Sequence, residues 1–377
     1  MILKTDCQHF PGDRPCSFNK NFGTMCDDCN DYKPIGFKIL IIKFDATGDV
    51  LRTTSLLHTL KKKYPASHIT WFTKKNAQPI FLNNSFVDEV LILENSDTIS
   101  KLLALEFDLL IHPDASVQSG AFSSWIKAKS KKGFFLDTKG KIQPFDDLAI
   151  EWLELGAFDQ KKKINLKTYQ QILHEICGLD YQKGEIILSL SEEEKKFTES
   201  FSAQHNLKKY KKIIGLNTGA GSRWQYKQWG VQQYVQLIRM IKTFSNDIGI
   251  LLYGGEDEKE RNTYLANQFP FVIDTGTENS LRQFFALVDL SDIFITGDTL
   301  GLHAATALRK KIICLFGPTS SNEIEDYGRI TKISPQMGCL VCYKMRCDFS
   351  PTCMDSISTE MVFDILKEVM LVGSESK

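Results

Sequence analysis

No stretch of the chain approaches the roughly 20 consecutive apolar residues that cross a bilayer, and the opening MILKTDCQHF has no apolar run behind a basic one. The chain is therefore expected in the cytoplasm, without an export signal. An excess of either charge is also missing: 46 Lys and Arg balance 46 Asp and Glu. Nothing draws the whole molecule towards nucleic acid, and the lysines at 161–163 and 208–212 read as solvated loop faces. Short-period repeats and low-complexity tracts are absent.

What is present is 377 residues, enough for two domains, and ten cysteines. Eight of the ten lie in two tight clusters near the ends. In a reducing compartment such clusters point to metal rather than to disulfides. Cys7, Cys16, Cys26 and Cys29 lie in a Gly-, Pro- and Asp-rich module, 1–35, that cannot bury a core unaided. Its last two cysteines form C-x-x-C, and His9 is a substitute ligand. Cys339, Cys342, Cys347 and Cys353 follow as C-x2-C-x4-C-x5-C. One or two structural zinc or iron sites are expected, remote in sequence from any cleft, because four thiolates suit either ion. Cys177 and Cys314 read as core.

Between the clusters, apolar runs of strand length alternate with helical spacing. In the first series, 36–180, a strand at 38–44 ends in Asp45-Ala46-Thr47-Gly48-Asp49 and a helix follows over 50–63. Strands at 69–72, 90–93, 108–111 and 133–136 then alternate with helices, 138–167 reads as polar and irregular, and a helix over 168–179 leads out. In the second series, 181–358, Ser191 with its following acids opens a helix. Strands at 212–217, 248–253, 271–273, 292–296 and 311–316 alternate with helices over 231–244, from 257, over 281–290 and over 300–308. A helix within 359–377 closes the chain. Such alternation predicts α/β folding with parallel doubly wound sheets, here two Rossmann-like domains facing a cleft.

Ligands of open α/β sheets lie outside the carboxyl ends of the strands. That places interest on the turn Gly297-Asp298-Thr299 and on His303 beyond it, where unsatisfied N–H groups at a helix start adjoin a carboxylate, a hydroxyl and an imidazole. Phosphate and sugar bind in such settings. Equally, Asp298 reads as a helix cap and His303 as an interface residue. Asp49 likewise reads as a general base or as a cap, with Asp45 as its rival.

Four segments in order, ILIIKFDATGDVLRTTSLLHTLKKKYP, GLNTGAGSRWQYKQWGVQQYVQLI, LLYGGEDEKER and FITGDTLGLHAATALRKKIICLFGPT, together resemble glycosyltransferase family 9, the ADP-heptose-dependent heptosyltransferases of lipopolysaccharide core synthesis. The resemblance implies a GT-B architecture with the acceptor on the first domain, an ADP-sugar on the second, and inversion at the anomeric carbon. It makes Asp49 the catalytic base and Lys227 the phosphate ligand. Thr218, Gly219 and Ser222 become a phosphate cradle assisted by Arg223, Glu256 a ribose ligand, and Asp298, Thr299 and His303 donor contacts. Leu300 departs from the glycine that many members carry there. The chain has no D-x-D triplet, so no catalytic metal or other cofactor is expected, and backbone dipoles with a lysine must balance the leaving charge. The acceptor implied is a lipopolysaccharide inner-core sugar, at the inner face of the inner membrane, or a protein hydroxyl, as in a branch with cysteine-bound iron. An oligomer is compatible with either. The competing reading is an inactive GT-B protein that binds nucleotide sugars or serves as a scaffold through structural metal sites.

Overall fold

After its leading lysine the segment KILII has no polar residue, and Ile39, Leu40, Ile41 and Ile42 are fully buried, as a central parallel strand covered on both faces requires. The computed structural model describes residues 2–371, the side chains of Ser222 and Arg223 excepted. Around β1 (Lys38–Ile42) the first sheet assembles β2 (His68–Thr73), β3 (Glu89–Ile92), β4 (Glu106–His112), β5 (Lys127–Leu136) and β6 (Ile142–Pro144). Their order is β3-β2-β1-β4-β5-β6, parallel except for β6. The second sheet holds β7 (Lys212–Asn217), β8 (Ile248–Tyr253), β9 (Ile273–Asp274), β10 (Ile293–Gly297), β11 (Lys311–Leu315) and β12 (Ile330–Ile333). It is wholly parallel, in the order β12-β11-β10-β7-β8-β9.

Each chain half thus builds outward from its first strand and then returns to that strand's other side. The order reverses between β1 and β4 and again between β7 and β10, and at each reversal flanking loops diverge and leave a crevice. These two sheets are the doubly wound pair that the alternation predicted.

The lobes touch through the helix Thr47–Thr53, which packs on the helix Leu300–Ala307. A Cβ placed on Gly48 would stand 2.8 Å from Cδ2 of His303, so only glycine permits this approach. One apolar cluster runs across the boundary, joining Val50, Leu51 and Leu173 of the first lobe to Phe285 and Ala304 of the second. Polar ties reinforce it: Tyr169 N donates to Glu323 O at 2.9 Å, and Arg282 Nη1 to Pro79 O at 3.3 Å.

Several local expectations need correction. The helix predicted over 50–63 is two, Thr47–Thr53 and Leu56–Lys63, because Thr54 and Ser55 turn their hydroxyls back onto the carbonyls of Leu51 and Arg52. Segment 138–167 is not irregular. It carries β6 and the helices Ile150–Ala157 and Asp159–Ile164, whose short amphipathic faces are too brief to stand out as a period. Strand β12 was not anticipated. Ser191 does open a helix, Glu192–Gln204, through a reciprocal cap in which its Oγ accepts from Glu194 N and its N–H donates to Glu194 Oε2 at 2.7 Å. The closing helix Thr359–Leu371 buries Val362, Phe363 and Leu366 in the second lobe's core. No described helix is long and apolar enough to cross a membrane.

Candidate active site

The two crevices face one another across a cleft of about 940 Å³. On the first lobe, the chain leaving β1 turns at 43–46 into the helix Thr47–Thr53, whose third residue is Asp49. Its Oδ2 accepts from Ala46 N at 3.3 Å, so the carboxylate does cap the helix. Its Oδ1 meets Arg52 Nη2 at 2.8 Å, and the side chain keeps 34% of its surface exposed, on the cleft wall. Both readings of Asp49 are therefore compatible with one geometry. Burial works against its ionisation, but Arg52 and Lys43 outweigh that and hold the carboxyl well below the usual carboxylate range.

Arg52 Cζ stands over the ring of Tyr169, 3.7 Å from its centroid, and Tyr169 shares a 2.8 Å hydrogen bond with Thr53. Lys43, almost fully buried, pairs with Asp114 beyond β4 and donates to Asp45 O. Asp114 also accepts from Phe44 N at 3.2 Å. That pair bridges the β1/β4 switch point. Asp45, the rival of Asp49, is instead engaged by Lys74 at the cleft mouth.

On the second lobe, Lys227 and Asp298 flank the β7/β10 switch point. Lys227 Nζ lies 2.8 Å from Asp298 Oδ2 and 3.3 Å from Asp298 O, both side chains mostly buried. Burial pushes Asp298 up, yet Lys227 prevails and the carboxyl stays below its ordinary value. Thr299 caps the helix Leu300–Ala307, its Oγ1 accepting from Gly301 N at 3.1 Å and from Asn217 Nδ2 at 3.1 Å. His303, one turn on, reaches the cleft against Gly48. Burial first, with Arg52 adding to it, lowers its pKa to about 4, so the imidazole is neutral near neutral pH.

Gly219 lines the cleft, and a Cβ there would fall 1.9 Å from Glu258 Oε1. Glu258 is buried and accepts from Gly221 N at 3.3 Å and Gly255 N at 2.8 Å, which stitches the two glycine turns together. Thr218 is not on the wall. Its hydroxyl is buried and donates to Asn262 Oδ1 at 2.6 Å. Glu256 is exposed and off the wall, where Asp257 and Glu258 stand instead. The side chains of Ser222 and Arg223 lie outside the described residues.

The cysteines do not assemble as expected. All ten are free thiols, and among the described residues no group of three or more His, Cys, Asp or Glu side chains is placed to hold an ion. Cys7, His9, Cys16, Cys26 and Cys29 do line one shared hollow of about 540 Å³. At the other end Cys353 is buried beneath Gly317, and burial with the neighbouring Cys347, Cys342 and Cys339 pushes its thiol up to about 11. Nor is that second block remote from the cleft, since Tyr343 within it lies on the wall. Arg52, Lys43, Tyr169 and Glu323 went unnoticed in the sequence. Of these only Arg52 carried a signal, its i,i+3 spacing from Asp49.

Two lobes of parallel doubly wound sheet, with switch points opposed across one cleft, define the class as GT-B. Residues 97–352 match the family model for glycosyltransferase family 9 (heptosyltransferase), and the chain belongs to that family. It is 26% identical over 334 residues to lipooligosaccharide heptosyltransferase 2 of Campylobacter jejuni subsp. jejuni, spanning 85% of this chain and 96% of that one. Among solved structures, a family 9 glycosyl transferase of Veillonella parvula superposes with a TM-score of 0.71 at 18% identity, covering 90% of this chain and 98% of the other. The ADP-heptose lps heptosyltransferase II of Escherichia coli gives 0.64 at 19% identity, covering 89% and 99%.

Proposed function

We propose that this protein transfers heptose from ADP-heptose to a hydroxyl of the lipopolysaccharide inner core, with inversion at the anomeric carbon. The observation that carries this reading is the opposition of Asp49 on one wall of the cleft to the Lys227 and Asp298 pair on the other. The names of its relatives supply the sugar and the acceptor class.

The second lobe holds the donor, with its nucleotide along the glycine turns after β7 and β8. Its diphosphate lies at Lys227 and at the N-terminus of the helix Leu300–Ala307 capped by Thr299. Asp49 is ionised throughout the working pH range and accepts the acceptor's proton as the new carbon–oxygen bond forms. The bond from the anomeric carbon to the phosphate oxygen breaks on the opposite face, its electron pair leaves with ADP, and Lys227 and the backbone N–H groups balance the charge. In ordering the donor, Asp298 orients Lys227, and His303, neutral, offers a hydrogen bond without adding charge. A lipid-borne acceptor brings the enzyme to the inner face of the inner membrane.

The test is turnover of ADP-heptose with a heptose-deficient lipopolysaccharide core. Asp49→Ala is expected to lower the rate by about 10²-fold or more, and Lys227→Ala by about 10²- to 10³-fold, each with a lowered thermal midpoint because Arg52 or Asp298 loses its partner. Full activity in Asp49→Ala protein, or wild-type binding of UDP-sugars in preference to ADP-sugars, would sink the reading. Tight donor binding by wild type without turnover on either a core or a protein acceptor would favour the inactive scaffold.

A further inference from the structure

The cleft continues beyond the reacting centre. Passing across the second sheet, β9, β8 and β7 end at the glycine turns and the nucleotide side, β10 ends at Asp298, and β11 ends at the segment 319–323. A donor with its nucleotide over β8 and its diphosphate at the switch point therefore directs the far side of its sugar towards the β11 end. Glu323 stands there.

This carboxyl is held on several sides. Tyr343 OH donates to Glu323 Oε1 at 3.0 Å and accepts from Ser320 N at 3.3 Å, which commits the phenol. The first lobe fixes the loop itself. Tyr169 N donates to Glu323 O at 2.9 Å, Asn322 Nδ2 donates to Asn165 O at 3.0 Å, and Lys162 Nζ lies 4.7 Å above the Tyr343 ring. Glu323 Oε2, by contrast, has no hydrogen bond or ion pair among the described residues, and the side chain lines the cleft. A carboxyl so braced, with one oxygen unused, is a preorganised receptor for a hydroxyl. Burial raises its pKa above the ordinary carboxyl value in spite of nearby Arg52.

We propose that Glu323, positioned by Tyr343, binds a hydroxyl of the transferred sugar on the side away from the nucleotide and so sets which ADP-sugar is accepted. The inference rests on the donor reading above. It also gives the cysteine-bearing block 339–353 a part in the site, through the tyrosine it supplies.

The experiment is isothermal titration of wild type, Glu323→Ala, Glu323→Gln and Tyr343→Phe with ADP and with ADP-heptose. Glu323→Ala is expected to weaken ADP-heptose by about tenfold or more, while ADP affinity stays within about twofold. Glu323→Gln, which keeps an acceptor for Tyr343, should recover part of the loss, and Tyr343→Phe should fall between. A parallel loss for both ligands, or no loss for either, overturns the assignment. Failure of wild type to bind ADP-heptose overturns it together with the donor reading. Wild-type binding with undiminished affinity in Glu323→Ala overturns this inference alone.

Discussion

Arg52 Nη2 stands 2.8 Å from Asp49 Oδ1, one turn further along the same helix, with its guanidinium carbon 3.7 Å above the ring of Tyr169. The Asp49 carboxylate on the cleft wall is thus a member of an anchored pair. Arg52 itself is mostly buried, with 11% of its side-chain surface exposed, and the Tyr169 ring beneath it keeps it beside Asp49. The pair keeps the carboxylate both ionised and oriented, at some cost in intrinsic basicity.

Removing that cation should show in the pH profile. Because Arg52 stabilises the charged form of Asp49, Arg52→Ala should move the acid limb of kcat/KM up by about one unit or more. Arg52→Lys should move it less. An acid limb that stays in place in both variants would separate Asp49 from the rate. A merely structural role for Arg52 would lower the whole profile without displacing it.

Gly48→Ala tests the contact between lobes. The added methyl would lie 2.8 Å from the His303 ring and 3.4 Å from Leu300 Cα. Overpacking of this sort costs about 1–3 kcal/mol, read as a lower thermal midpoint together with a raised KM for donor. Unaltered values for both would mean that the lobes part more easily than the packing implies.

His303 bears on acid stability. Its pKa in the fold is pushed down to about 4 from an ordinary 6.5, so between those values the unfolded chain binds a proton that the fold refuses. Stability should therefore decline as pH falls from about 6.5 to 4. His303→Gln should make that decline shallower without abolishing it, since buried His112 and His174 are depressed for the same reason. The comparison is the urea midpoint of both proteins at intervals across this range. Parallel curves would remove His303 from the account.

Much of the architecture was legible because parallel strands are marked by local composition. KILII, ILLY and KIICL are apolar runs that only a sheet covered on both faces can absorb, and the chain leaving KILII and IFITG carries Asp49 and Asp298. Lys227 and Gly219 were legible from their segment. Thr218 and Glu256 lie in the right turns but off the wall, because which of several adjacent polar residues faces a cleft depends on backbone twist in that turn. The thiols show the same limit, since spacing brings cysteines near one another without fixing where each sulfur points.

By itself, then, the order of apolar runs, glycine turns and capping residues determined two doubly wound halves and the positions of their switch points, all of it short-range. Only the tertiary structure decided how one half meets the other. It seated His303 against Gly48, laid Arg52 on Tyr169, and tied Glu323 to Tyr169 and Tyr343. Those partners stand tens to hundreds of positions apart. Their pairing follows from packing two lobes so as to bury one apolar seam and satisfy its backbone groups, a condition that no window of sequence can express.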